Sequence, residues 1–306
     1  MNTESTLTAP AIEEICARHN ISYHSHSRIG AGFTHEVHRL NDNLVIKLFN
    51  TTNPKNYQTE LALLQADLEV RRPSLVANHD STSLQDRSYI ITTFVDGQPL
   101  GSRWHMATDK QREQLISDIS TTLAEINRID PSAIGTASES WQTIIEDRIS
   151  SLSSMLLSRG TVTDLHARKI RTTVERSRSS LEDSDLHPVY WDIHFDNFLV
   201  NDKFELLAIT DLESVDLVAL DYPLFVVEKL MDEPHKYLRE EDEKYANVED
   251  YAQLKDWYRR YYPEMFAFDR QEERIKLYLL IDTLHLLTDW SHVRDLYDKL
   301  DKLTRE

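Results

Sequence analysis

Cysteine is all but missing: Cys16 is the single thiol in 306 residues, so no internal disulfide can form and a reducing cytoplasm is the expected compartment. In an amphipathic N-terminal helix, a lone thiol reads as a small buried hydrophobe. No run approaches the roughly 18 consecutive apolar residues of a membrane span. The opening "MNTESTLTAPAIEEICARHNISYHSHSRIG" also lacks a basic start followed by an apolar core, so neither secretion nor membrane spanning is expected. Basic residues are in deficit, 34 against 52 acidic, a formal charge of −18. That field repels nucleic acid and anionic membranes and favours cationic small molecules. The acids are spread along the chain, with one local concentration, "REEDEKYANVED", that reads as a solvated loop and helix start.

What remains is enough for a sizeable core. With 40% hydrophobic residues and roughly 150 residues per domain, about two domains are expected. Texture changes near residue 98. Over 1–97 the strand-like runs "ISYHSHSRI", "THEVHRL", "NLVIKLF", "SLVANHD" and "SYIITTFV" surround one helical pattern, "PKNYQTELALLQADL". Over 98–306 the pattern is mostly helical. It opens on a Thr108 or Asp109 cap before "KQREQLISDISTTLAEINRI", with further helices expected at 140–158, 164–182, 218–232, 248–261 and 270–291. The expected architecture is α+β: a small antiparallel sheet with one main helix, then a larger helical part.

Glycine is scarce too, and two of the six glycines, Gly30 and Gly32, fall in "RIGAGFTHEVHRL" between the first two strand-like runs. A glycine turn there lets backbone N–H groups approach phosphate oxygens. The next strand, "NLVIKLF", carries Lys47 among apolar neighbours, and an ammonium so placed needs water or a partner. Glu60, the most apolar-flanked acid of the following helix, is the candidate.

A second group lies in "HPVYWDIHFDNFLVNDKFELLAITDLESVDL" at 187–217, where Asp192, His194, Asn197 and Asp211 interrupt apolar runs. A carboxylate to take the proton of an attacking hydroxyl, and further oxygens to hold Mg²⁺ on a nucleotide, are what phosphoryl transfer requires. Asp192 and Asn197 have the separation of the Asp and Asn in the kinase motif H-R-D-x-x-x-x-N.

"WDIHFDN" followed by "AITDLE" resembles the D-x-H-x-x-N and I-D-[WF]-E signatures of the aminoglycoside phosphotransferase and choline kinase-like family, over roughly residues 25–230. The resemblance implies a bilobal protein-kinase-like fold, with an N-terminal nucleotide-binding lobe at 1–97 and a C-terminal catalytic and substrate-binding lobe at 98–306. It also implies ATP (or GTP) as co-substrate with Mg²⁺. Asp192 would be the base, Asn197 and Asp211 the metal ligands, and Gly30, Gly32, Lys47 and Glu60 the nucleotide site, with His194 structural.

The implied acceptor is a hydroxyl of a small, cationic molecule of the aminoglycoside antibiotic kind. Glu213, Asp216, Glu228, Asp232, Asp282 and Asp289 are candidates to bind it. The alternatives are a metabolic kinase for choline, a sugar or an amino alcohol, or a nucleotide-binding pseudokinase. Trp257, Tyr258, Tyr261, Tyr262, Tyr278 and Trp290 read as helical core or as a cage for a quaternary ammonium. Two residues depart from the family pattern: His35 stands at the third glycine of the loop, and Trp191 stands where a small residue, often glycine, precedes the catalytic Asp. Asp221 in "ALDYPL" is expected in a structural hydrogen-bonding role.

Overall fold

The computed structural model describes residues 8–29, 35–49, 54–81, 87–136 and 138–305, so Gly30 and Gly32 lie outside the described residues. Two compact units form, the first from 1–129 and 194–215, the second from 130–193 and 216–306.

In the first unit, helix α1 (Ala9–Arg18) precedes strands β1 (His26–Arg28), β2 (Glu36–Leu40) and β3 (Leu44–Leu48), then helix α2 (Pro54–Gln65) and strands β4 (Leu75–His79) and β5 (Tyr89–Thr93). The five strands form an antiparallel sheet in the order β1-β2-β3-β5-β4. The β2–β3 reversal turns on Asn41, at φ 52°, a left-handed conformation that asparagine tolerates. The Asn41 amide also ties down the approach to β1. Its Oδ1 accepts from His24 N at 2.9 Å, and its Nδ2 donates to Ser22 O at 2.8 Å.

Alternation along β3 sorts the side chains by face. Ile46 and Leu48 join Tyr89, Ile91 and Ile15 of α1 in one core cluster, while Leu40 packs with Ile12 and Cys16. Lys47 therefore points to the opposite face, with Val37 and Ile90 as its register partners on either side. Cys16 is completely buried, as a small hydrophobe would be.

Further along, β6 (Gln98–Pro99), α3 (Leu100–Arg103) and α4 (Asp109–Ile126) also belong to this unit, as do β8 (Phe198–Val200) and β9 (Leu206–Ile209), which pair in the order β6-β8-β9. The chain enters β6 at Gly97, where a Cβ would stand 3.0 Å from Leu199 Cβ and 3.1 Å from Leu207 Cδ1. Close approach of this segment to β8 and β9 thus favours glycine. Residues 98–129 and 194–215 follow the texture change near residue 98, yet they pack with the sheet unit.

The second unit contains α5 (Trp141–Ser158), α6 (Asp164–Ser177), β7 (His187–Tyr190), all but the first residue of β10 (Val215–Val218), α7 (Leu224–Asp232), α8 (Leu254–Tyr261), α9 (Gln271–Asp289) and α10 (Arg294–Leu303). Strands β7 and β10 pair as a two-stranded ribbon. Helix α9 is central, burying Ile275, Leu277, Tyr278, Leu280, Ile281, Leu284 and Leu287 along its length. A helix so apolar around its circumference belongs in a core. The helix expected at 218–232 begins only at Leu224, because Val215–Val218 is drawn into the ribbon. A helix at 294–303 was not expected from the sequence. The aromatics weighed as a cage divide: Trp257, Tyr258, Tyr262 and Tyr278 are buried core, whereas Tyr261 and Trp290 are exposed.

Candidate active site

In the first unit the site is built around Lys47. Its Nζ lies 2.7 Å from Glu60 Oε2, 2.6 Å from Asp211 Oδ1 and 3.0 Å from Glu213 Oε2. Lys47 and Glu60 are buried. Burial works against the Lys47 charge, but Glu60, Asp211 and Glu213 outweigh it and hold the ammonium's pKa above its ordinary value. Burial likewise pushes the Glu60 carboxyl up, against the pull of Lys47.

Asp211 reaches Lys47 from an unusual backbone position. It follows β9 with φ 57° and ψ 46° and opens a 3₁₀ turn, Leu212–Ser214. A left-handed non-glycine residue of this kind stores strain of about 1–3 kcal/mol, of the sort that clusters at functional sites. Asn197 closes another 3₁₀ turn, Phe195–Asn197. Its carbonyl accepts from Thr210 N at 2.9 Å and from Thr210 Oγ1 at 3.2 Å, which clamps it to the residue before Asp211. Phe195 anchors the same turn against the buried Trp104, with ring centroids 4.5 Å apart.

Glu213, expected among the acceptor-binding acids, stands beside Lys47. His35 Nε2 lies 2.7 Å from Glu213 Oε2, and both side chains are nearly inaccessible. Burial raises the Glu213 carboxyl, but the His35 hydrogen bond and the Lys47 charge bring it below its usual range. His35 therefore places an imidazole on a carboxylate where the family motif has glycine. Oxygens of Glu60, Asp211 and Glu213 all lie within 4.8 Å of one another, a group able to hold a metal ion. Three carboxylates around one ammonium leave negative charge in excess, and hard oxygen donors suit Mg²⁺.

Asp192 belongs to the second unit, half-buried in the loop after β7 beside Trp191. Of the remaining candidate acids, Asp216 on β10 and Asp282 on α9 line one cavity of this unit, together with Trp191. Glu228 on α7 is held by Lys255, while Asp232 and Asp289 are exposed at the ends of α7 and α9. The cavity also brings in Asp147, Arg148, Tyr222, Phe225 and His285, none of which the sequence had singled out. A signal was available for some of them. Tyr222 directly follows Asp221, and His285 lies three residues beyond Asp282, on the same side of a helix.

Residues 25–257 match the family described as the phosphotransferase enzyme family, APH. No curated protein matches the chain by sequence. Among solved structures, ADP-bound aminoglycoside phosphotransferase APH(2'')-Ib is similar at 18% identity and TM-score 0.69, covering 98% of this chain and 97% of that one. The GDP and kanamycin complex of APH(2'')-IIIa is similar at 16% identity and TM-score 0.67, covering 95% and 96%. A thermostable mutant of APH(4)-Ia with AMP-PNP and hygromycin B is similar at 13% identity and TM-score 0.67, covering 97% and 98%. These likenesses carry the protein-kinase-like fold, and the family match spans most of the chain: it belongs to the phosphotransferase enzyme family, whose members move a phosphoryl group from a nucleoside triphosphate to a hydroxyl acceptor.

Proposed function

We propose that this chain transfers the γ-phosphoryl group of ATP or GTP to a hydroxyl of a small molecule, with Asp192 as the base. The observation that carries the reading is the convergence of Glu60, Asp211 and Glu213 on Lys47 within 3.0 Å. Lys47, kept charged by these carboxylates and aimed by Glu60, pairs with nucleotide phosphates. Gly30 and Gly32, which precede β2 in the sequence, would contribute backbone N–H groups to the same phosphates. Asp211 and Asn197 would hold Mg²⁺, which when bound neutralises charge on the phosphate oxygens. Glu213, braced by His35, keeps Asp211 and Lys47 in place. Asp192 accepts the proton of the acceptor hydroxyl as that oxygen attacks the γ-phosphorus, the bond from γ-phosphorus to the bridging oxygen breaks, and nucleoside diphosphate leaves. Such base catalysis contributes on the order of 10²–10⁴ in rate.

Aminoglycosides, the ligands of several similar structures, are one acceptor class, and small alcohols or amino alcohols are another. The retained Lys47, Asp192, Asn197 and Asp211 favour an active enzyme over a pseudokinase. Two variants separate the roles. Asp192→Asn leaves nucleotide affinity nearly intact and removes most turnover, read as nucleoside diphosphate release over an acceptor panel. Asp211→Ala instead weakens Mg²⁺-nucleotide binding itself, read by titration. Full turnover in Asp192→Asn would sink the base assignment, and unchanged Mg²⁺-nucleotide affinity in Asp211→Ala would sink the metal assignment.

A further inference from the structure

The second unit contains a cavity of about 570 Å³ with one aromatic wall and one charged wall. This volume is in the range of small-molecule sites. On the aromatic side, the rings of Trp191 and Phe225 lie stacked at 25°, with centroids 6.3 Å apart, and Tyr222 stands 5.1 Å from Phe225 and 6.2 Å from Trp191. Tyr222 and Phe225 are buried, whereas Trp191 is only half-buried, so the indole has surface left for a ligand. Trp191 immediately precedes Asp192, which puts this indole and the proposed base on one loop.

On the charged side stand Asp147, Asp216 and Asp282. Two of them already have cations of the chain's own. Asp216 faces Arg148 at 3.6 Å, and Arg148 also donates a hydrogen bond to Tyr222. Asp282 accepts from Lys229 at 2.7 Å, and Lys229 is buried in α7. Asp216 and Asp282 are thus paired with cations of the chain itself, whereas Asp147 is exposed and able to meet an incoming amine.

A polycation fits this lining poorly. Each ammonium beyond the first meets a carboxylate already neutralised, or meets Arg148 itself, and like charges at close quarters repel. Flat apolar surface fits well, because rings gain by offset stacking on Trp191, and a single amine gains from both Asp147 and the aromatic faces.

Resting on the phosphotransferase reading above, we infer that this cavity is the acceptor site and that Trp191 sets its selectivity. It admits a hydroxyl-bearing molecule with a flat apolar ring and no more than one positive charge, and it disfavours polycationic aminoglycosides. Trp191, in place of the small residue of the family pattern, fills space that would otherwise admit a bulkier polar acceptor and offers ring surface instead.

The test uses the full chain and two probes, 4-(hydroxymethyl)benzylamine, with one ring, one amine and one hydroxyl, and kanamycin as the polycation, with benzyl alcohol as the uncharged control. Affinities from ligand-observed NMR titration are compared for the wild type, Trp191→Gly, Trp191→Phe and Asp147→Asn, with MgATP affinity and thermal midpoint measured on each. The wild type should bind the ring amine at least tenfold more tightly than kanamycin. Trp191→Gly should weaken ring-amine binding fivefold or more, Trp191→Phe should restore most of it, and Asp147→Asn should weaken the amine but not benzyl alcohol. If Trp191→Gly does not fold, the Trp191→Phe and Asp147→Asn comparisons carry the same decision. Tighter binding of kanamycin, binding of neither probe, or affinities unmoved by the substitutions overturns the inference. Failure of the wild type to bind MgATP overturns the phosphotransferase reading, and the acceptor assignment with it. Normal MgATP binding with the wrong probe ranking overturns the acceptor assignment alone.

Discussion

Asp221 is completely buried and accepts from Arg274 through both oxygens, at 2.6 and 2.7 Å, while the Tyr278 hydroxyl donates to it at 3.0 Å. Trp141 Nε1 in turn donates to Tyr278 at 2.9 Å, so α5, α9 and the segment before α7 are tied into one network around this carboxylate. Arg274, equally buried, also donates to Ser180 O at 2.6 Å. Removing Asp221 strands a guanidinium without its counter-charge, and Asp221→Ala should cost about 3–5 kcal/mol in urea unfolding. Replacing the pair together, Asp221→Leu with Arg274→Met, should cost markedly less than Asp221→Ala alone. A double variant no more stable than the single one would mean the ion pair itself supplies the stability. The polar role of Asp221 was legible in "ALDYPL". Its partner, 53 positions away, was not, because nothing local selects among the chain's arginines.

Helix α4 shows what an element carries in its own sequence. Thr108 accepts from Gln111 N, and Thr108 N donates to Gln111 Oε1 at 2.9 Å, a reciprocal capping box that satisfies two otherwise orphaned N–H groups. Thr108→Ala should lose about 1 kcal/mol of stability, and Thr108→Ser should lose little. Equal thermal midpoints for Thr108→Ala and the wild type would show that packing alone places this helix. Helix α7 behaves differently. Apolar spacing extends it back to 218, yet β10 takes residues 215–218 into a ribbon with β7, and the helix starts after Pro223. A pairing between segments distant in sequence outweighed local periodicity there.

At the scale of the molecule, 52 acids against 34 basic residues create self-repulsion that dissolved salt screens. Thermal stability should therefore rise by a few degrees between about 10 and 150 mM NaCl, as the Debye length shrinks from about 30 to 8 Å. A fall would mean that surface ion pairs, such as Lys169–Asp301 at 2.7 Å, outweigh the net repulsion. No helix among the described residues is long and apolar enough to cross a membrane.

By itself the sequence determined the sheet-then-helix organisation, narrowed the cap of α4 to two neighbouring residues and named candidate chemistry-bearing residues. These depend on alternation, helical spacing and motif order, all of which are local along the chain. Only the tertiary structure decided which carboxylates are spoken for. Glu213 could be read as an acceptor-binding acid until folding set it beside Lys47 and His35. Asp282 had no partner legible in the sequence until α7 brought Lys229 to it. Trp191 was only a departure from the family pattern until Tyr222 and Phe225 set it in the lining of a cavity. A charge seeks its partner through space, over about 4 Å, and the linear order of a chain does not encode distances of that kind.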